Sequence, residues 1–256
     1  MATYVYAITR RPAPERVRGM RGVSGEPVRS IEHGGLSAIV GSVDPRRFSE
    51  EPARGGEEDL RALEGLLRAH HQVVQALAGD ATVLPLRLGT VYRGDERVEA
   101  LLEDRRAEFE ATLERITGRT EWGVKLLVDP AVFDAELEDQ EPDAGPAAGA
   151  GTRYLLRRRS EERSRQRRRD RAAALADQVH AGLDAVAAAS RRHAPQDARL
   201  SGHRGWMPLN GAYLVDQGRD RELLAVVRRY DDPEHGIRLE LTGPWAPYSF
   251  AEEERA

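Results

Sequence analysis

Histidine is the residue type in this chain best suited to metal binding or proton transfer, and its spacing supports neither role. His70 and His71 are adjacent in a predicted helix, so their side chains point about 100° apart and cannot share one metal ion from one face. His70 falls on the apolar face of that helix, which favours a buried, hydrogen-bonded side chain. The remaining histidines are scattered at no ligand spacing: His33, His180, His193, His203 and His235. The sequence therefore predicts no metal site.

Motifs for phosphate binding and nucleophilic catalysis are also missing from the sequence. The stretch from Ala144 to Gly151 holds three glycines, but no Lys-Ser or Lys-Thr follows it, and the only lysine, Lys125, lies in a predicted strand. There is no Gly-x-Ser-x-Gly motif. The absence of cysteine excludes disulfides, zinc–thiolate sites and a thiolate nucleophile. We therefore expect no enzyme activity, no cofactor and no small-molecule substrate.

Residues 157–171 form the strongest charge cluster, with nine arginines, three acidic residues and no apolar side chain. A solvated stretch of helix is the plain interpretation. A second is an electrostatic docking surface for an acidic protein partner, formed by Arg157, Arg158, Arg159, Arg163, Arg167, Arg168 and Arg169. Nucleic-acid binding is a third, but no aromatic residue is interleaved for base stacking. Because 38 of the 39 basic residues are arginine, their abundance resembles a codon preference and not a chosen nucleic-acid surface.

The C-terminal segment places three aromatic residues within six positions of a chain that is only 5% aromatic. Its two prolines stiffen the backbone and lower the entropy lost on binding. Two interpretations remain open: a strap that packs on its own domain, or an aromatic contact surface for a partner. The residues concerned are Pro244, Trp245, Pro247, Tyr248 and Phe250.

The elements that position these residues begin with a mixed N-terminal half. It is predicted to contain a strand at 3–8, a hairpin of 27–31 with 36–41, a helix at 57–79, an extended segment at 82–91 and a helix at 95–117. Pro85 makes the extended segment an edge strand or a bulge. The first helix is expected to bury one face, formed by Leu60, Leu63, Leu67, Val74 and Leu77.

The second half is predicted to run in the order strand, helix, strand, strand, helix, strand, which is the ferredoxin-like βαββαβ order. The elements are a strand at 120–128, a short helix at 130–138, a linker at 140–151, a long helix at 152–193, strands at 197–202 and 209–216, a helix at 219–230 and a strand at 236–242. We therefore expect an α+β fold of two mixed α/β domains, 1–118 and 119–256. The second would be ferredoxin-like, with a long, partly projecting helix.

Composition limits the partners and the location of the protein. The net charge of -4 over 256 residues gives no general attraction to nucleic acid or to an anionic membrane. No run approaches the roughly 18 apolar residues of a membrane-spanning helix. The N-terminus lacks the basic start and apolar core of a signal peptide. We expect a cytoplasmic protein that binds neither a membrane nor nucleic acid.

Four stretches resemble the gas vesicle protein GvpF/GvpL family, in the order in which the family has them. They are residues 4–8, 83–91, 154–159 and 241–250. The last is the most specific, because Gly-Pro-Trp-x-Pro-Tyr-Ser-Phe is unlikely to arise by chance.

The resemblance implies a two-domain α/β protein that helps to build gas vesicles and is not known for catalysis. Members are similar to accessory or minor shell-associated proteins. They bind the small shell protein and other accessory proteins during vesicle nucleation and growth. The implied location is the gas vesicle, and the cytoplasm during assembly. The alternative function is a nucleic-acid-binding or regulatory protein that uses the arginine-rich run 157–171.

Overall fold

A computed structural model describes residues 1–11, 15–48, 57–79, 81–133, 150–195 and 205–251. The chain divides into two compact units, the first formed by residues 1–121 and 244–256 and the second by residues 122–243. This division differs from the expected 1–118 and 119–256 mainly at the C-terminus. Residues 244–256 belong to the first unit because Ala246, at 3% exposure, is buried in the core of that unit.

The first unit is built on a five-stranded sheet. Its strands are β1 (Ala2–Arg10), β2 (Val28–His33), β3 (Leu36–Val43), β4 (Leu84–Pro85) and β5 (Val91–Tyr92). The strand order is β2-β3-β1-β4, and β5 also pairs with β1. The helices are α1 (Glu57–Ala78), α2 (Asp95–Asp104) and α3 (Arg106–Ile116). The two-residue strand β4 lies at a sheet edge, where Pro85 is tolerated because its missing N–H is not needed.

The predicted hairpin is confirmed and depends on two glycines. His33 pairs with Leu36, so Gly34 and Gly35 form a two-residue loop between β2 and β3. Their φ angles are 57° and 88°. A two-residue hairpin loop with φ above zero at both positions matches the strand twist, and glycine adopts such angles without steric cost.

Strand β1 is the centre of the first unit's sheet, because it pairs with β3 on one side and with β4 and β5 on the other. Neighbouring residues of the strand send their side chains to opposite faces of the sheet. The Thr3 hydroxyl donates to Asp95 of α2 at 2.7 Å, whereas the Tyr4 hydroxyl meets His70 of α1 at 2.9 Å. Helix α1 therefore covers one face, and α2 with α3 covers the other. The core on the α1 side includes Tyr4, Tyr6, Ile39, Val73, Val74 and Leu77.

The prediction that one whole apolar face of helix α1 is buried is wrong in part. Val74 and Leu77 are fully buried, as predicted. Leu63 and Leu67, which were expected to point inward, are 53% and 54% exposed. The helix is longer than the core beneath it, so the first half of its apolar face is left uncovered within the described part of the chain.

The predicted helix 95–117 is two helices with a break at Arg105. That residue leaves helical geometry, with φ -111° and ψ 20°. Its Nε donates to Glu108 at 2.8 Å, and its guanidinium lies over the ring of Phe109 at 5.0 Å. The spacing of apolar residues did not show the break, because Val98, Leu102, Phe109, Leu113 and Ile116 still return to one side and are buried.

Among its described residues, the second unit has a four-stranded sheet and two α-helices. Its strands are β6 (Arg119–Val128), β7 (Ala189–Arg192), β8 (Trp206–Asp216) and β9 (Ile237–Trp245), and the first residues of β6 and the last of β9 belong to the first unit. Its helices are α4 (Ala150–Asp184) and α5 (Asp220–Tyr230). The strand order is β7-β8-β6-β9. Both helices pack into one core with the expected inward face of β6, formed by Trp122, Val124, Leu126 and Val128.

Helix α4 differs in extent from the predicted helix 152–193. It begins at Ala150, inside the expected linker 140–151, and ends at Asp184. Residues 189–192 form strand β7. Alanine-rich sequence through this region hides the boundary, since alanine favours helix but tolerates a strand paired with β8. The predicted strand 197–202 and most of the predicted helix 130–138 lie outside the described residues, and residues 131–133 form a turn.

Among the described side chains of α4, those that join the hydrophobic core lie in its second half. Ala172, Ala176, Val179 and Leu183 recur every three or four positions and are buried. Across 157–171, nearly every described side chain is exposed, apart from the buried Ser164. The prediction of a solvated helical stretch is therefore confirmed. No helix among the described residues is long and apolar enough to cross a membrane.

Replacing Arg157, Arg158 and Arg163 together by glutamine should change the free energy of unfolding by only about 0.5 kcal/mol or less per site, because exposed side chains contribute little. The matched comparison is Leu183→Ala. This fully buried residue of the same helix should cost about 2–5 kcal/mol when truncated. Urea unfolding of both variants tests this, and a loss of several kcal/mol in the triple variant would contradict the exposed placement of the run.

Candidate functional site

The C-terminal segment Pro244–Phe250 is fixed to the first unit by hydrogen bonds at its far end. The carboxylate of Glu121 accepts two bonds from Ser249, one from the backbone N–H and one from the hydroxyl, each at 2.7 Å. The Arg115 guanidinium donates to the Phe250 carbonyl at 3.0 Å. Bonds to a charged group are stronger than neutral ones, so these contacts hold the segment in one place.

The segment has a buried side and an exposed side, so it has features of both predicted interpretations. Ala246 and Phe250 are each only 3% exposed, which is expected of a strap. Trp245 is 40% exposed, which is expected of a contact surface. Pro244 and Trp245 are also the last residues of β9, a strand ending that was not predicted. Strand β9 lies at a sheet edge, where proline is compatible with pairing.

His71 connects the exposed aromatic residues to helix α1. Its ring lies edge-on to Trp245 at 5.1 Å and nearly parallel to Tyr248 at 6.0 Å. Burial lowers the pKa of His71 and raises the pKa of Tyr248, so both rings are neutral near pH 7. A neutral imidazole that contacts both the indole and the phenol ring favours an apolar contact surface.

A groove of about 680 Å³ opens beside these rings, and we call it the aromatic groove. Its apolar and aromatic lining comes from α1, the loop after β4 and the C-terminal segment: Leu67, His70, His71, Leu88, Trp245 and Tyr248. Every one of these residues belongs to the first unit. A groove of this size and lining is typical of a site that binds another molecule through apolar contact.

Four charged residues also line the aromatic groove. Glu64, Arg68 and Arg87 are exposed, whereas Glu121 is buried and binds Ser249. Glu64 and Arg68 are one helical turn apart on α1 and lie on either side of Leu67 along the helix. The groove therefore has an apolar floor with charges of both signs at its exposed positions.

His70 closes the floor of the groove and fixes α1 to the sheet. The backbone N–H of Gly89 donates to the Tyr4 hydroxyl at 3.0 Å, which leaves the hydroxyl proton for His70 Nδ1 at 2.9 Å. Burial lowers the pKa of His70 to about 4, although the Leu86 backbone acts in the opposite direction. Burial likewise raises the pKa of Tyr4 to about 12. The expectation of a buried, hydrogen-bonded His70 is confirmed.

The predicted docking arginines share one helix but not one environment. Arg157, Arg158, Arg159 and Arg163 are exposed. The other three contact their own unit: Arg167 donates to the Ser164 hydroxyl, Arg168 to the Pro130 carbonyl, and Arg169 lies over the Trp206 ring. Arg168 and Arg169 therefore contact residues outside the helix, whereas the contact of Arg167 stays within α4.

Potential metal ligands do not cluster among the described residues. No three histidine, aspartate or glutamate side chains in that part of the chain come together as metal ligands. Sequence reasoning missed the aromatic groove because its lining comes from three separated segments. A signal was present in Leu63 and Leu67, but helical periodicity alone cannot show which part of an apolar face is covered.

An exposed apolar groove on an α+β scaffold is typical of a class of protein that binds another molecule through apolar contact. Residues 2–252 match the family described as "Gas vesicle synthesis protein GvpL/GvpF". The chain belongs to this family, as the resemblance in the sequence indicated. The family is one of gas vesicle structural and assembly proteins not known as enzymes, and membership implies a role in gas vesicle formation.

The chain is 45% identical to gas vesicle protein L of Streptomyces sp. (strain CB03234) over 97% of this chain and 92% of that protein. It is 30% identical to gas vesicle protein F of the same organism, over 98% of this chain and 100% of that protein. The fold is similar to the crystal structure of GvpF from Anabaena sp. PCC7120, with a TM-score of 0.69, 19% identity and coverage of 99% and 97% of the two chains.

Phe250→Ala should destabilise the protein by about 3–5 kcal/mol, because a fully packed aromatic ring is replaced by a cavity. Trp245→Ala should cost about 1–2 kcal/mol, since the indole is partly in water already. Chemical unfolding of the two variants measures the difference. Equal losses would show that Trp245 is as much a part of the core as Phe250.

His70 should make stability depend on pH. Its pKa is about 4 in the folded protein and about 6.5 when unfolded, so the unfolded chain binds more protons between those values. The stabilising contribution is therefore complete above pH 6.5 and falls as pH drops toward 4, by up to about 3 kcal/mol. Unfolding free energies measured between pH 7.5 and 4.5 should show a steeper slope for the wild type than for His70→Gln. Equal slopes would contradict a neutral, buried His70.

Proposed function

We propose that this protein is a gas vesicle assembly factor that binds the small shell protein and other accessory proteins during vesicle nucleation and growth. The observation that carries the proposal is the aromatic groove, with Trp245 and Leu67 exposed beside it. Burying apolar area yields about 25 cal/mol per Å². A protein that keeps large apolar side chains in water therefore has surface available to stabilise a complex.

Shell subunits expose apolar surface before they polymerise, and an assembly factor must cover that surface without joining the polymer. A concave groove is suited to this task, because it covers a limited patch of the subunit. An exposed sheet edge would act as a template for further strands. The proposed location follows from this role: the gas vesicle, and the cytoplasm during assembly. Family membership supports vesicle-related partners.

The C-terminal segment would serve this function in two ways at once. Its buried residues fix the segment, and its exposed indole contacts the partner. The five residues proposed for these roles are those expected from the sequence: Pro244, Trp245, Pro247, Tyr248 and Phe250. The two prolines support a contact role, because a backbone that is already stiff loses little entropy when a partner binds.

The arginine-rich part of α4 supports a second contact. We propose that Arg157, Arg158, Arg159 and Arg163 dock an acidic surface of an accessory protein, with Arg167, Arg168 and Arg169 contributing less because they contact their own unit. Nucleic acid is the competing partner, and salt separates the two possibilities. A nucleic acid held by about four to seven phosphate contacts would lose about 10²–10⁴ in affinity between 50 and 200 mM salt.

We propose that the second unit serves as a scaffold. Its element order β6-α4-β7-β8-α5-β9 and its strand order β7-β8-β6-β9 fit a ferredoxin-like domain, which we propose for this unit. This fold hosts many functions, so the assignment alone implies no activity. We propose no catalytic step, no cofactor and no small-molecule substrate.

Trp245→Ala should reduce capture of the shell protein from cells that make vesicles, because the variant loses the largest exposed aromatic side chain of the groove. Tyr154→Ala is the matched control, since Tyr154 is an exposed aromatic residue on α4 outside the groove. Pull-down with each purified protein at equal concentration measures the effect. A Trp245 variant that folds, captures the shell protein and supports vesicle formation as well as wild type would refute the contact role of this segment.

A further inference from the structure

The apolar face of α1 continues past the core of the first unit. Leu63, Leu67, His70, Val74 and Leu77 recur at spacings of four, three, four and three, which keeps them on one side of the helix. The last three are buried against the sheet, whereas the two leucines are more than half exposed. The face that packs in the core is thus continuous with a face that no described residue covers.

The aromatic groove lies beside this uncovered face of α1 and adds apolar side chains from other segments to it. Leu67 lines the groove from the helix, Leu88 lines it from the loop after β4, and Trp245 lines it from the C-terminal segment. Leu63 lies about one helical turn, or about 5.4 Å, before Leu67 on the same side of α1 and continues this apolar surface. A second apolar helix lying beside α1 would complete the layer that covers this face of the sheet.

The chemistry of the groove walls favours a helix over a strand as the occupant. An added strand needs unpaired backbone groups, and β1 beneath the groove is already paired with β3 on one side and with β4 and β5 on the other. The C-terminal segment offers few backbone donors, because Pro244 and Pro247 have no N–H. What the groove presents is a set of side-chain surfaces, which bind the apolar face of an amphipathic helix.

The exposed charges define the polar side of that helix. Two exposed arginines line the groove, Arg68 and Arg87. Glu64 is the only exposed acid among the lining residues, because Glu121 is buried and accepts hydrogen bonds from Ser249. Acidic groups next to the apolar anchors would meet the Arg68 guanidinium. Charge matching of this kind sets partner choice and orientation more than raw affinity.

We propose that the aromatic groove binds an amphipathic α-helix of a partner protein, with apolar anchors at positions i, i+3 or i+4, and i+7, and with acidic residues flanking them. The inference rests on the proposed function for the identity of the partner, but the groove chemistry can be tested without it.

The test uses three labelled synthetic peptides of about 18 residues, long enough to form helix in water. The first carries the proposed anchors with flanking glutamates, the second carries arginines in place of those glutamates, and the third has the composition of the first in alternating, strand-like order. Fluorescence anisotropy with the full chain measures binding. The first peptide should bind most tightly, and the other two about tenfold or more weakly.

Two variants locate the binding site. Leu67→Glu should weaken binding of the first peptide about tenfold or more, since a charge is placed in the apolar floor. Arg68→Glu should reverse the preference, so that the arginine-flanked peptide binds better than the glutamate-flanked one. Tyr154→Glu is the control and should bind like wild type. Circular dichroism and melting of each variant confirm that it is folded, which Leu67 and Arg68 permit because both are exposed.

Several results would overturn the inference. Equal binding of the alternating peptide would favour strand addition, and unchanged binding by Leu67→Glu would place the site elsewhere. A wild-type dimer that Leu67→Glu dissociates would show that a second copy of this chain occupies the groove.

Failure of the proposed function gives a different pattern of results. If the first peptide binds and Leu67→Glu abolishes its binding, but wild type never captures the shell protein, then the groove inference holds and the proposed function fails. If wild type and Leu67→Glu capture the shell protein equally, the proposed function holds and the groove inference fails.

Discussion

The hydrogen bond between Tyr4 and His70 is the constraint on which the first unit depends. It joins the central strand to α1 at a buried position, 66 residues apart in sequence, and the Gly89 N–H completes it from the loop after β4. An imidazole buried at 1% exposure needs such a partner, because an unpaired polar group in a core costs about 1–3 kcal/mol. The bond therefore sets the rotation of α1 about its axis. It also brings His71, the next residue, against Trp245 and Tyr248.

This fixed rotation explains why the face of α1 beside the aromatic groove is apolar and exposed at once. With His70, Val74 and Leu77 held against the sheet, Leu67 and Leu63 must lie on the same side of the helix, beyond the edge of the core. The C-terminal segment is held by Glu121 and does not extend far enough to cover them. A monomer gains no stability from leucines in water, so a surface of this kind is expected where a protein binds a partner.

The second unit is constrained differently. About half of its long helix α4 has to be stable without packing against a core. The buried half uses small residues, Ala172 and Ala176, that let α4 approach the sheet closely. The exposed half contains no apolar side chain from 157 to 171 and alternates arginine with a few acids, as in the Arg157–Glu161 pair at 3.5 Å. Such pairs add only a few tenths of a kcal/mol each, so the stretch is helical mainly because it continues a packed helix.

The sequence by itself determined several elements and the family. Alternation around Trp122, the glycine pair of the hairpin and the periodicity of α1 predicted strands, a turn and a helix correctly, because these signals are local. The Gly-Pro-Trp-x-Pro-Tyr-Ser-Phe segment carried the resemblance that the comparisons confirmed. Local signals could not show where α4 ends or that Arg105 interrupts a helix, since the same residue types are compatible with either outcome.

Only the tertiary structure decided which residues form a site. It paired Glu121 with Ser249 across 128 positions and placed Leu67, Leu88 and Trp245 around one groove. It also left half of an apolar helix face uncovered. Whether an apolar side chain is covered depends on the length of the opposing core, and that length is a property of the packed chain and not of any stretch within it.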